Sequence, residues 1–143
     1  VNQISTKRLY DKLHGKLSYP APQTVHVNKQ TTAAQDGSPS KPFSTVAAAL
    51  AHAATLTPSA TNRITILIHP GTYTETGLAS LQYVDLVGVD RTACILTSPD
   101  ANHVFTIDTA DVSVRDMTFE AQSTGYPFRV LASGVVFVTD CTF

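Results

Sequence analysis

With 143 residues, 43% of them hydrophobic, the chain can bury one real core, and one compact body is the expectation. Its longest apolar runs, such as Val46 to Ala51, fall far short of the roughly 20 residues that cross a bilayer, and no secretory signal pattern precedes them. The net charge of −1 conceals an asymmetry: residues 1–23 carry Lys7, Arg8, Lys12 and Lys16 against Asp11 alone, while the remainder holds six basic and ten acidic residues.

The basic segment contains ISTKRLYDKLHGKL, residues 4–17, in which Leu9, Leu13 and Leu17 fall four apart with charges between them. That spacing predicts a short helical arm with one apolar stripe, weakened by Gly15 and ended by Pro20 and Pro22. So short a helix is not stable alone. Leu9, Leu13 and Leu17, flanked by Lys7, Arg8 and Lys12, are therefore the candidate anchor to the body or to a neighbouring protein. Four dispersed charges without interleaved aromatics or glycines are those of a solvated helix face, so nucleic acid is not an expected partner.

The second predicted region runs over 24–143. QTVHVN alternates as a short strand, and Gln35 to Lys41 is turn chemistry throughout. A helix is predicted over Pro42 to Leu56, with Ser44 as its N-cap and Val46, Ala49, Leu50 and Ala53 on one apolar face. His52 near this helix reads as an ordinary histidine. Ile64 to Ile68, apolar at nearly every position, predicts a strand buried on both sides, stopped by Pro70-Gly71. The preceding helix is the expected cover for one of those sides.

Beyond it, β-branched runs at 84–89, 94–97, 104–107, 112–119, 128–131 and 135–143 alternate with small polar turns. The gaps are too short for helical crossovers, which leaves antiparallel hairpins or a coiled solenoid. An internal repeat decides between them. DVSVRDMTF at 111–119 and VVFVTDCTF at 135–143 align without a gap at a period of 24, identical at five of nine positions, and a fixed period in this range marks stacked repeats. YVDLVGVD at 83–90 is a looser copy of the same rung. Val112, Val114, Val136 and Val138 should form inward ladders, Phe119 should stack on Phe143, and Asp116 on Asp140. Ser113, Arg115, Phe137 and Thr139 should face out.

PFSTVAAALAHA, ITILIHPGTYTET, VDLVGVDRTACILTS, VRDMTFEA and FRVLASGVVFVTDCTF together resemble, in order and spacing, the N-terminal half of pectinesterases and related pectin-lyase-like proteins over about residues 35–143. The resemblance implies an all-β, right-handed parallel β-helix with a capping α-helix at its N-terminal end. It also implies a carbohydrate esterase chemistry of two aspartates, oxyanion-stabilising glutamines and an arginine. The first glutamine belongs just before the 128–131 strand, where this sequence has Gly125, Tyr126 and Pro127; the nearest glutamine, Gln122, reads as a loop residue. Both aspartates and the arginine would fall beyond Phe143. No catalytic residue is carried over.

Asp116 and Asp140 could share a proton across adjacent coils, but aspartates at rung ends more commonly serve the turn, and the same holds for Asp108 and Asp111. His69 and His103 stand without a serine or cysteine motif. Cys94 and Cys141, 47 residues apart, lack metal-ligand spacing and read as small apolar side chains. No cofactor, metal or catalytic residue is assigned. The expected function is a structural or binding β-helix module of a virus or phage particle, at the virion or outside the cell. Its expected partners are other particle proteins, further copies of itself with a trimer favoured, and a surface polysaccharide. The alternative is the N-terminal part of a pectinesterase-like esterase or a polysaccharide lyase. The bare final rung leads to the expectation that more chain or another subunit completes the stack.

Overall fold

The computed structural model describes residues 23–32, 34–121 and 126–143. The predicted anchor residues Leu9, Leu13, Leu17, Lys7, Arg8 and Lys12, and the loop residue Gln122, lie outside them. Among the described residues no helix is long and apolar enough to cross a membrane.

Short β-branched stretches, each broken after three to five residues by a turn, cannot fold back as hairpins here, because each lies in parallel register on a run one coil away. The strands are β1 Gln23–Val27, β2 Ile64–Ile68, β3 Gly71–Thr74, β4 Leu78–Ala79, β5 Val84–Gly88 and β6 Cys94–Ser98. They continue as β7 Phe105–Ile107, β8 Val112–Arg115, β9 Thr118–Ala121, β10 Phe128–Val130 and β11 Val136–Thr139, with one helix, α1, at Val46–Thr55. Successive coils each give a strand to three sheets, ordered β1-β2-β5-β8-β11, β4-β7-β10 and β3-β6-β9. All of these pairings are parallel.

The predicted repeat register is the observed one. Val112 lies beside Val136 and Val114 beside Val138, while Thr118 bridges to Thr142. The Phe119 and Phe143 rings stack 5.8 Å apart at 11°. The rung at 83–90 aligns less well by sequence because its spacing differs: Leu86 pairs with Ile66 and with Val114, steps of 20 and 28 residues. Alternation then sorts the side chains. Val25, Ile66, Leu86 and Val114 form a buried inward ladder, with Val138 half-buried at its end. Phe105, Phe119, Phe128 and Phe143 extend the core as an aromatic stack toward the last coil.

Two local expectations are corrected. The run at 112–119 is two strands, because Asp116 adopts a left-handed backbone (φ 58°), as Asp140 does one coil later (φ 51°). Aspartate tolerates this conformation better than most side chains. Beneath Asp116 lies Gly88, where a Cβ would come 2.0 Å from the Asp116 carbonyl oxygen, so only glycine lets this turn close over the coil below. The helix begins at Val46, not Pro42, and its N-cap is Thr45, not Ser44, with the Thr45 hydroxyl accepting from the Ala48 N–H at 3.2 Å. Residues before it are held extended instead: the Asn28 N–H donates to the Phe43 carbonyl and the Phe43 N–H to that of His26. That pairing finishes the outer edge of β1. The predicted apolar face of Val46, Ala49, Leu50 and Ala53 is buried over β1 and β2.

Candidate functional site

The outward face of the five-stranded sheet follows from the same alternation. One row runs Thr65, Asp85, Ser113, Phe137 and a second runs Leu67, Val87, Arg115, Thr139. Arg63, just before β2, grips Asp85 with two bonds, Nε to Oδ2 at 3.0 Å and Nη2 to Oδ1, and also donates to the Asp111 carbonyl at 3.0 Å. Asp85 Oδ1 accepts in addition from the Ser113 N–H at 3.0 Å. Hydrogen bonding to Asp85, outweighing the cost of burial, holds the Arg63 guanidinium above its ordinary pKa. Asp85 is thus saturated by donors and clamps three coils together. Next to this clamp the row ends in Phe137, 60% exposed, with Arg115 on the neighbouring strand reaching into solvent.

Along the turn at the end of these strands, Asp90, Arg91, Thr92, Asp116 and Asp140 line a shallow open depression. Asp90 accepts from the Thr92 hydroxyl at 2.6 Å and its N–H at 2.7 Å, bonds that lower its pKa below the usual carboxylate value. Asp116 accepts from Arg115 at 3.3 Å. The structure therefore brings the predicted pair Asp116 and Asp140 to equivalent turns of adjacent coils, but the partner of the Asp116 carboxylate is a cation. Asp108 accepts from the Ser80 hydroxyl and Asp111 from Gln82, both as turn residues. Among the described residues no three His, Cys, Asp or Glu side chains converge as metal ligands.

Two arrangements escaped sequence reasoning. His69 is not solitary: its Nε2 lies 3.2 Å from Nδ1 of His26, which burial and then the proximity of His69 push below its ordinary pKa. Arg63 and Asp85 sit 22 residues apart with no local motif. Only a register of β2 on β5, placing Thr65 beside Asp85, could have found them. Cys94 is fully buried and Cys141 half-buried, its thiol pKa raised chiefly by burial. His52 packs against Phe43 at 5.3 Å. Where the resemblance puts an oxyanion glutamine, Pro127 instead offers its carbonyl to the Val104 and Phe105 N–H groups.

No protein-family model matches the chain, and no curated protein sequence does. Two solved structures share its architecture. One is a pectin methylesterase in complex with a hexasaccharide, with a TM-score of 0.61 and 17% identity over 82% of this chain. The other is the pectin methylesterase PemA of Erwinia chrysanthemi, with a TM-score of 0.59 and 16% identity over 84%. The fold is the pectinesterase-like parallel β-helix. This chain spans 46% of the length of each of these pectin methylesterases, and at such identity the likeness speaks of architecture and not of chemistry.

Proposed function

We propose that this chain is a structural and binding β-helix module that presents the outward face of its five-stranded sheet to polysaccharide, in the setting of a virion or another extracellular particle. The observation that carries the binding reading is that exposed Phe137 on β11 and Arg115, one step diagonal to it on β8, share the outward face that the Arg63–Asp85 clamp ties across coils. A flat aromatic ring covers the apolar face of a sugar, and a guanidinium pairs with a uronate carboxylate in two-point fashion. Four cations and three leucines in residues 1–23 support an anchoring arm that joins the module to other particle proteins, in a homo-oligomer for which a trimer is favoured.

Titration with polygalacturonate and with a neutral glucan tests the reading. The expected result is preference for the anionic polymer and at least a tenfold loss on Phe137→Ala or Arg115→Ala. Equal affinity of both variants overturns it. Placement on a particle is checked by replacing Leu9, Leu13 and Leu17 with aspartate, which should abolish co-sedimentation with the particle; unchanged co-sedimentation removes the anchor.

A second reading, part of a carbohydrate esterase, is favoured by the two structural neighbours being pectin methylesterases. Methanol release from methylated pectin by this chain, lost on a single substitution within it, would establish that reading in place of the first.

A further inference from the structure

The first coil brings together two side chains that no local motif connects. His26 lies on β1 in the outward row of Leu67, and His69 follows β2 directly. Nδ1 of His26 and Nε2 of His69 lie 3.2 Å apart, with the ring planes inclined by 30°. Both residues are half-buried, so solvent reaches the pair.

The main chain fixes both residues. The His26 N–H donates to the Gly37 carbonyl at 2.8 Å, and the His26 carbonyl accepts from the Phe43 N–H at 2.9 Å. The His69 N–H donates to the Val27 carbonyl at 2.9 Å, while the His69 carbonyl accepts at 2.8 Å from the hydroxyl of buried Tyr73. With all four backbone groups engaged, the two imidazoles keep their spacing without help from a ligand, which is the preorganisation that a binding site requires.

We propose that His26 and His69 form a binding site for one divalent transition-metal ion of the Zn²⁺ type, ligated by Nδ1 of His26 and Nε2 of His69. The spacing carries the proposal. At metal–nitrogen distances of about 2.0–2.1 Å, two nitrogens 3.2 Å apart subtend roughly 100–106° at the ion, close to the tetrahedral angle. The metal-free pair shares one N–H across that gap. An ion takes its place when the bridging proton moves to the other nitrogen of its own ring, His26 Nε2 or His69 Nδ1, so both rings stay neutral and no proton is released. A small rotation of the rings then aims both lone pairs at one point.

Imidazole ligands favour Zn²⁺, Cu²⁺ and Ni²⁺ over Mg²⁺ and Ca²⁺, which prefer oxygen donors. Among the described residues no third His, Cys, Asp or Glu converges on the pair, so water completes the coordination and the ion stays exchangeable and open to an outside ligand. Lys29, the cation of the adjoining turn, has its ammonium bonded to the Thr72 carbonyl. The site does not rest on polysaccharide binding, which uses Phe137 and Arg115.

The test is calorimetric titration of Zn²⁺ into the chelator-treated 143-residue chain. One saturable site is expected, for which Mg²⁺ and Ca²⁺ do not compete. His26→Gln and His69→Gln should each weaken Zn²⁺ at least tenfold with circular dichroism unchanged, whereas His103→Gln, on another coil, should bind as the parent does. Nitrogen NMR of the histidine rings gives a second readout: Zn²⁺ should shift Nδ1 of His26 and Nε2 of His69 and leave the other nitrogen of each ring protonated. Absence of saturable binding, undiminished affinity in either glutamine variant, or ligation by the opposite ring nitrogens overturns the proposal. Should a glutamine variant lose its fold, the ring spectra of the parent decide alone.

Discussion

His26 on β1 and His69 just after β2 come from different coils, and one N–H shared between their ring nitrogens at 3.2 Å requires that at least one ring be neutral. Burial, followed by the proximity of His69, lowers the pKa of His26 below its ordinary value of 6.5. Around the pair stand the Tyr73 hydroxyl, donating to the His69 carbonyl at 2.8 Å, and Lys29, whose ammonium is bonded to the Thr72 carbonyl. Among the described residues no carboxylate bonds to either imidazole to favour its charged form. The sign of the linkage follows: with the folded pKa below the unfolded one, the unfolded chain binds more protons between the two values. The pair's contribution to stability is complete above about pH 6.5 and is lost as the pH falls from there through the lowered folded value. Urea unfolding at pH 7 and pH 5 should show this loss, and His26→Gln should flatten it. An identical pH slope in the variant would remove the histidine pair as its cause. The pairing was hidden in the sequence because each histidine is locally unremarkable, and the two meet only once β1 lies on β2 with Val27 beside Ile68.

At the scale of elements, α1 has no acidic residue in its first turn, yet its first N–H groups are not left bare. Glu75, just beyond β3, accepts from the Val46 N–H at 2.7 Å and the Ala47 N–H at 2.8 Å, while Thr45 serves the Ala48 N–H. A carboxylate here satisfies two orphan donors and sits at the positive end of the helix dipole. Glu75→Ala should cost about 1–2 kcal/mol in urea unfolding, and Glu75→Gln about half of that, since the shape remains and the charge goes. A change in the alanine variant no larger than about 0.5 kcal/mol, as at an ordinary surface site, would refute the capping role. The helix face, the span of the strand at Ile64–Ile68 and the 24-residue register of the last two rungs were legible, because periodicity and β-branching are local signals; the expected burial of that strand on both sides is corrected, since alternation leaves Thr65 and Leu67 half-buried on the outward face. The Asp116 break, the Thr45 cap and the Glu75 contact were not, because each depends on what a neighbouring coil presents. Glu75 lies 29 residues from the helix N–H that it caps, and Asp116 turns where it does because Gly88 leaves room beneath it.

Across the described residues the stack is close to one-dimensional: each coil touches the coils next to it, so its stability is nearly a sum of coil and interface contributions. In such a stack the ends decide where opening begins. The first coil is bounded by the α1 cap, by the Gly37–Phe43 edge pairing and by Tyr73, whose hydroxyl ties Lys29 to His69. The middle coils carry Ile66, Ile68, Leu86, Leu96, Phe105 and Phe119, all fully buried. The last carries half-buried Val136 and Val138 and exposed Phe143. In the 143-residue chain, opening a coil with neighbours on both sides breaks two interfaces, whereas opening the one that holds β11 breaks one. Native-state hydrogen exchange should therefore be graded along the axis, slowest in β2 and β5, and faster by an order of magnitude or more in β10 and β11. Val114→Ala, which hollows the interface between the middle and last coils, should speed exchange in β8 and β11 while leaving β1 and β2 nearly unchanged. Uniform acceleration through all three sheets would mean that the stack unfolds as a single cooperative unit, and the end-dependent account would then fail.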